Sequence, residues 1–158
     1  MILAGSSTPA LTRRQVLVAA SGVMLAGIRH QGEIVHANAF DIEEIIKERI
    51  GDKSLQEGRV TLKIAPIVEN GNTVPISLSV DSPMTPDDYV TAVHVFAEAN
   101  PLPNVATFHF TPRSGKAQVA TRIRLSDSQH VTAVAETSDG LAYITQRHVK
   151  VTLGGCSQ

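Results

Sequence analysis

One cysteine, Cys156, occurs in the 158-residue chain, two residues from its end and directly behind Gly154 and Gly155. A core thiol would sit in an apolar run, and a structural disulfide would need a second cysteine; Cys156 has neither. A thiolate is the reactive form of cysteine, nucleophilic and able to form disulfide bonds. Glycine has no side chain and visits φ > 0 freely, so Gly154-Gly155 reads as a slim hinge. From Gly154 to Cys156 the extended reach is about 10 Å, at roughly 3.3–3.6 Å per residue. A thiol on such an arm can enter a narrow pocket in another protein, the geometry of a group carrier whose substrate rides on a tether. No Lys or Arg follows Lys150, and the terminal carboxylate of Gln158 opposes ionisation by like charge. The sequence therefore gives the thiol little activation of its own, and positive groups in a docking enzyme must supply it.

The other chemistry-bearing residues converge less well. His94, His109, His130 and His148 fall on separate predicted strands, with no HxH or HxxxH spacing among them, whereas metal ligation needs convergent donors. Asp87-Asp88 follows Thr85-Pro86 and reads as turn or helix-cap chemistry rather than an acid/base pair. A Cys–His nucleophilic pair needs a rigidly held thiol, which a short tail does not supply. No phosphate-cradling glycine loop precedes a helix. The chain alone is thus expected to be neither an enzyme nor a holder of metal or cofactor. Prenylation is excluded because only Ser157 and Gln158 follow the cysteine. Two rival readings stay open: a periplasmic binding or assembly module whose terminal Cys forms only an intermolecular disulfide, and a small metal-dependent redox enzyme using the histidines.

The first 39 residues read as an address. Thr12-Arg13-Arg14-Gln15-Val16-Leu17 sets paired arginines before the apolar stretch Val16 to Ile28, too short to span a bilayer but suited to a signal-peptide core. Ala37-Asn38-Ala39 is a small-x-small cleavage signal, predicting a mature chain that starts at Phe40 without a membrane anchor. The arginine pair fits twin-arginine export to the periplasm, although Val16 stands where that signal more often has Phe. Removing residues 1–39 takes away Arg13, Arg14, Arg29 and Glu33, which moves the formal charge from −1 to −3. Neither value gives the basic footprint of a nucleic-acid binder. In an oxidising compartment an odd cysteine points to an intermolecular bond or a reactive free thiol.

The elements that must position the tail follow from periodicity. Phe40 to Ile50 carries one apolar stripe and ends at Gly51, predicting a short helix. Beyond Asp52 the period becomes two. Strands are predicted over 60–64, 76–80, 93–97, 106–110, 117–125, 130–137 and 142–151, separated by turn clusters such as Glu69-Asn70-Gly71-Asn72 and Asn100-Pro101-Leu102-Pro103. Seven short strands without alternating helices predict a mainly β fold. The expected architecture is an immunoglobulin-like β-sandwich over 40–153, followed by a flexible arm over 154–158. With aromatics at 4%, the core is aliphatic, and any protein partner is expected to meet a sheet edge or face through aliphatic side chains. Val93, Val95, Phe108 and Phe110 read as core in preference to interface.

Beyond these patterns, the chain resembles the SoxY family, sulfur-carrier subunits of a periplasmic thiosulfate-oxidation system. The likeness runs through the Arg-Arg leader, "NGNTVPISLSVDSPMT" (70–85), "YVTAVHVFAEANPLPNVATFHFTPRSGKAQVATRIRL" (89–125), "TAVAETSDG" (132–140) and "VKVTLGGC" (149–156). The resemblance implies a β-sandwich paired with SoxZ, a second small β-protein, and implies that Cys156 is the covalent attachment point. It further implies that the c-type cytochrome complex SoxAX joins thiosulfate to that cysteine. The dimanganese hydrolase SoxB then releases sulfate, and a molybdenum sulfane dehydrogenase, where present, oxidises the remaining sulfur; the carrier contributes no cofactor. The family tail usually reads Gly-Gly-Cys-Gly-Gly, so Ser157-Gln158 here puts a polar side chain into any channel that admits the arm.

Overall fold

The computed structural model describes residues 41–155. The expected leader, residues 1–39, and its cleavage point at Ala39/Phe40 therefore lie outside the described residues. Along the described chain come helix α1 (Ile42–Ile50) and strands β1 (Leu55–Glu57), β2 (Val60–Ile64), β3 (Ile67–Asn70), β4 (Val74–Val80), β5 (Val90–Ala97) and β6 (Asn104–His109). A 3₁₀ turn at Pro112–Ser114 leads to β7 (Ala117–Ile123), β8 (Gln129–Thr137) and β9 (Ala142–Leu153).

Strands β2, β4 and β7 form an antiparallel three-stranded sheet in the order β2-β4-β7. The larger sheet runs β1-β9-β8-β5-β6, with β3 also on β9. Alternation does what period two demands. Leu62, Ile76 and Leu78 of the small sheet share one buried cluster with Val93, Val95, Val131 and Ala133 of the large one. Val93 and Val95 are thus core, and Phe108 and Phe110 are partly buried against it. The mainly β, immunoglobulin-like sandwich is the fold that the turn spacing predicts.

Two strands have no counterpart in that prediction. β1 and β3 are short and largely exposed, so neither shows alternating hydrophobicity. Both exist because β9 has a free edge: β1 pairs in parallel with Ala142–Ile144, and β3 in parallel with Lys150–Leu153. Pairing held by backbone hydrogen bonds leaves little trace in side-chain pattern.

α1 covers the outer face of the large sheet. The Asp41 carboxylate accepts from Glu43 N at 3.1 Å, and Gly51, at φ 73°, closes the helix by donating its N–H to Lys47 O at 2.8 Å. That left-handed conformation suits glycine at a helix end. A nine-residue helix is marginal in water, so packing decides its existence. Ile46 and Ile50 bury against Phe96, Val134 and Ala142, each such isoleucine contributing about 1.5–3 kcal/mol.

A polar cluster ties the helix exit to that sheet. Lys53 pairs with Glu136 Oε2, while Glu136 Oε1 lies 2.8 Å from Nε2 of buried His94. An ionised carboxylate only accepts, so Nε2 carries a proton, and Nδ1 meets Thr107 Oγ1 at 3.0 Å. Burial pushes the Glu136 carboxyl up, but hydrogen bonds from Lys53 and His94, with their charge, outweigh it and hold the group below its ordinary value. A depressed carboxyl stabilises the fold above the unfolded-state value of about 4.3 and loses that contribution as pH falls through the folded value. Glu136→Gln is therefore expected to cost about 2 kcal/mol near neutral pH. In urea unfolding followed by circular dichroism, the gap from wild type should hold down to about pH 5 and narrow below about 4.3. A gap that widens on acidification contradicts this assignment.

Candidate functional site

Cys156, Ser157 and Gln158 lie outside the described residues, so the site is read from the root of the arm that carries them. That root is the end of β9. Past Val149, where β8 ceases to pair, β9 is held by β3 and by the Ser128 hydroxyl, which accepts from Val151 N at 3.0 Å. Three backbone bonds then close around its last residues. Gly71 N donates to Leu153 O at 2.7 Å, Leu125 N to Gly71 O at 2.8 Å, and Gly155 N to Leu125 O at 2.8 Å. The ring thus holds the chain at Leu153, where β9 ends, and again at Gly155.

Only glycine fits these contacts. A Cβ on Gly71 would overlap Leu125 O and come within 2.8 Å of Gly155 N. One on Gly154 would overlap Ser126 O, and one on Gly155 would overlap the Gly71 carbonyl and lie 2.5 Å from Asn72 N. None of the three adopts positive φ. Gly154 and Gly155, expected to begin a flexible arm, are used here for close backbone approach, and Gly155 is buried.

The segments that grip the root are themselves built by polar residues that look like turn filler in the sequence. Asn72 N donates to Asn70 Oδ1 at 2.9 Å, shaping the β3–β4 turn around Gly71. Asn100, 5% exposed, donates from Nδ2 to Arg124 O at 2.8 Å and accepts at Oδ1 from Ser126 N at 2.9 Å. Gln129, 2% exposed, donates to Asn100 Oδ1 at 3.1 Å and to Asp127 O at 2.9 Å, and accepts from Ala99 N at 2.9 Å. Buried amides with several partners are expensive to disturb, so Leu125 and Ser126 form a stiff wall. The available signal is Asn100 beside Pro101 between two apolar runs, which marks a turn but not its burial.

The four histidines do not converge on one point; His130 and His148 alone are neighbours, opposite each other on β8 and β9. His94 is consumed by the Glu136 cluster, and His109 is exposed at the end of β6. His130 Nδ1 lies 2.8 Å from Glu98 Oε1, and its ring meets that of His148 edge-on at 5.0 Å. Among the described residues no three His, Cys, Asp or Glu side chains are placed to hold a metal ion. Asp88 N donates to Thr85 Oγ1 at 3.2 Å, so the Asp87-Asp88 pair shapes a turn. A groove of about 950 Å³ lies between α1, β1 and the β9 surface, and none of the arm-root residues lines it. No described helix is long and apolar enough to cross a membrane.

No curated protein matches the chain. Among solved structures, the sulfur carrier protein SoxY from Chlorobium limicola f. thiosulfatophilum is 30% identical, with a TM-score of 0.60 over 71% of this chain and 96% of that one. A superoxide reductase from Ignicoccus hospitalis is 14% identical, with a TM-score of 0.54 over 61% of this chain and 82% of its own. A putative superoxide reductase from Thermotoga maritima is 15% identical, with a TM-score of 0.53 over 63% and 93%. At such identities these two share the fold alone. The family model described as "Sulfur oxidation protein SoxY" matches residues 46–156, ending on the sole cysteine. The chain belongs to the SoxY family of sulfur-oxidation proteins.

Proposed function

We propose that this protein is a periplasmic carrier that holds thiosulfate-derived sulfur covalently on Cys156 while other enzymes act on it. The observation that carries the reading is the position of the chain's one thiol. In sequence it follows directly on a backbone held by the fold, within a family of which one solved member is a sulfur carrier. The carrier itself is non-catalytic and works within a Sox partner assembly. Specifically, it pairs with a SoxZ-like β-protein and docks transiently with SoxAX, SoxB and, where present, a sulfane dehydrogenase.

The chemistry balances on one sulfur atom. The Cys156 thiolate and the sulfane sulfur of thiosulfate form an S–S bond, releasing two electrons to a c-type cytochrome partner. Water then cleaves the bond to the sulfonate group, releasing sulfate and two protons and leaving a persulfide on the cysteine. Both steps require the thiol to enter a partner's site, and a cysteine one residue past the held backbone suits that requirement. Its thiolate fraction in the free protein is set by an ordinary cysteine, since the sequence offers no cation after Lys150.

Intact-mass spectrometry of the protein from thiosulfate-grown cells should show sulfur-containing adducts confined to the C-terminal peptide and absent from Cys156→Ser, which also loses pathway flux. A clean disulfide-dimer mass with undiminished flux in Cys156→Ser favours the bridging module instead. A second measurement addresses activation. Alkylation of the free protein against pH should show a midpoint near about 8.5, and a midpoint well below that value refutes the claim that partners supply the activation.

A further inference from the structure

The ring of backbone bonds at the arm root does more than end a strand. Gly71 is distant in sequence from the tail, yet both of its backbone polar groups serve it. Its N–H bonds Leu153 O, and its C=O is bonded by Leu125, the residue that receives Gly155 N. Its missing Cβ is also what leaves room for Gly155 to dock. We propose that Gly71 is a positioning residue for Cys156: with Leu125 it clasps Gly155 and fixes the point from which the cysteine leaves the domain.

The clasp sets how far the thiol reaches. While it is shut, Cys156 follows immediately on an anchored backbone. Opening it back to Leu153 frees two more residues, about 7 Å of extended chain. A partner with a shallow site can take the thiol from the shut clasp, whereas one with a deeper site has to open it. This consequence for partners rests on the carrier reading; the clasp itself does not.

The experiment uses the whole chain as recovered from the cell and needs no sulfur compound, so its outcome is independent of the adduct measurement. Hydrogen exchange at the residue 155 amide and the rate of Cys156 alkylation by iodoacetamide are compared in wild type, Gly71→Ala and Gly155→Ala. The second variant alters only the tail and keeps the test available if the first fails to fold. The wild-type 155 amide should exchange roughly tenfold or more slowly than an unstructured one. Each variant should lose that protection and change the alkylation rate several-fold, while the Val95 amide in β5 stays protected. The double variant should add little to either single change, because both break one contact. A wild-type 155 amide that exchanges freely, or folded variants with unchanged exchange and alkylation, overturns the proposal.

Discussion

Strand β9 has one edge left after β8 has paired with the other, and the architecture depends on how that edge is shared. β1 takes its beginning and β3 takes its end, both in parallel. The first pairing brings the segment after α1 against the large sheet, where Lys53 reaches Glu136. The second brings the β3–β4 turn, and with it Gly71, to the place where the chain leaves the fold. Helix cover and arm root are therefore two results of one strand edge being shared between two short strands.

That arrangement explains a division of labour between side chains and backbone. The interior is aliphatic and held by area: Val93, Val95, Val131 and Ala133 from one sheet meet Leu62, Ile76 and Leu78 from the other. The arm root is held by main-chain groups and buried amides, with Asn100 and Gln129 stiffening the wall that Gly155 touches. Apolar packing tolerates exchange of one aliphatic residue for another. Close backbone approach tolerates no added Cβ, which makes the root the less forgiving part.

The legibility of the sequence divides along the same line. Where burial alternates, as in β2 and β4, a period of two places the strands to within a residue or two. In β5 it also separates Val93 and Val95 from His94 and Phe96, although both faces are buried because α1 covers the second. β1 and β3 are illegible because exposed residues such as Gln56, Glu57 and Glu69 carry no period, and their partners lie far away in the chain. Cys156 stands out by its solitude. Gly154 and Gly155 draw notice in the sequence for freedom and not for close approach, since a glycine needed for freedom and one needed for proximity look alike until the neighbouring backbone is seen.

Between the stretches claimed by β1 and β3, residues 145–149 of β9 have no strand on that edge among the described residues. An open run of amides and carbonyls invites a foreign strand to add, the first step toward insoluble assemblies. Gln146, Arg147 and His148 are exposed there, and polar and cationic side chains make such addition unfavourable. The gap in the pairing thus carries its own guard against polymerisation in the side chains it displays, in the longest described strand.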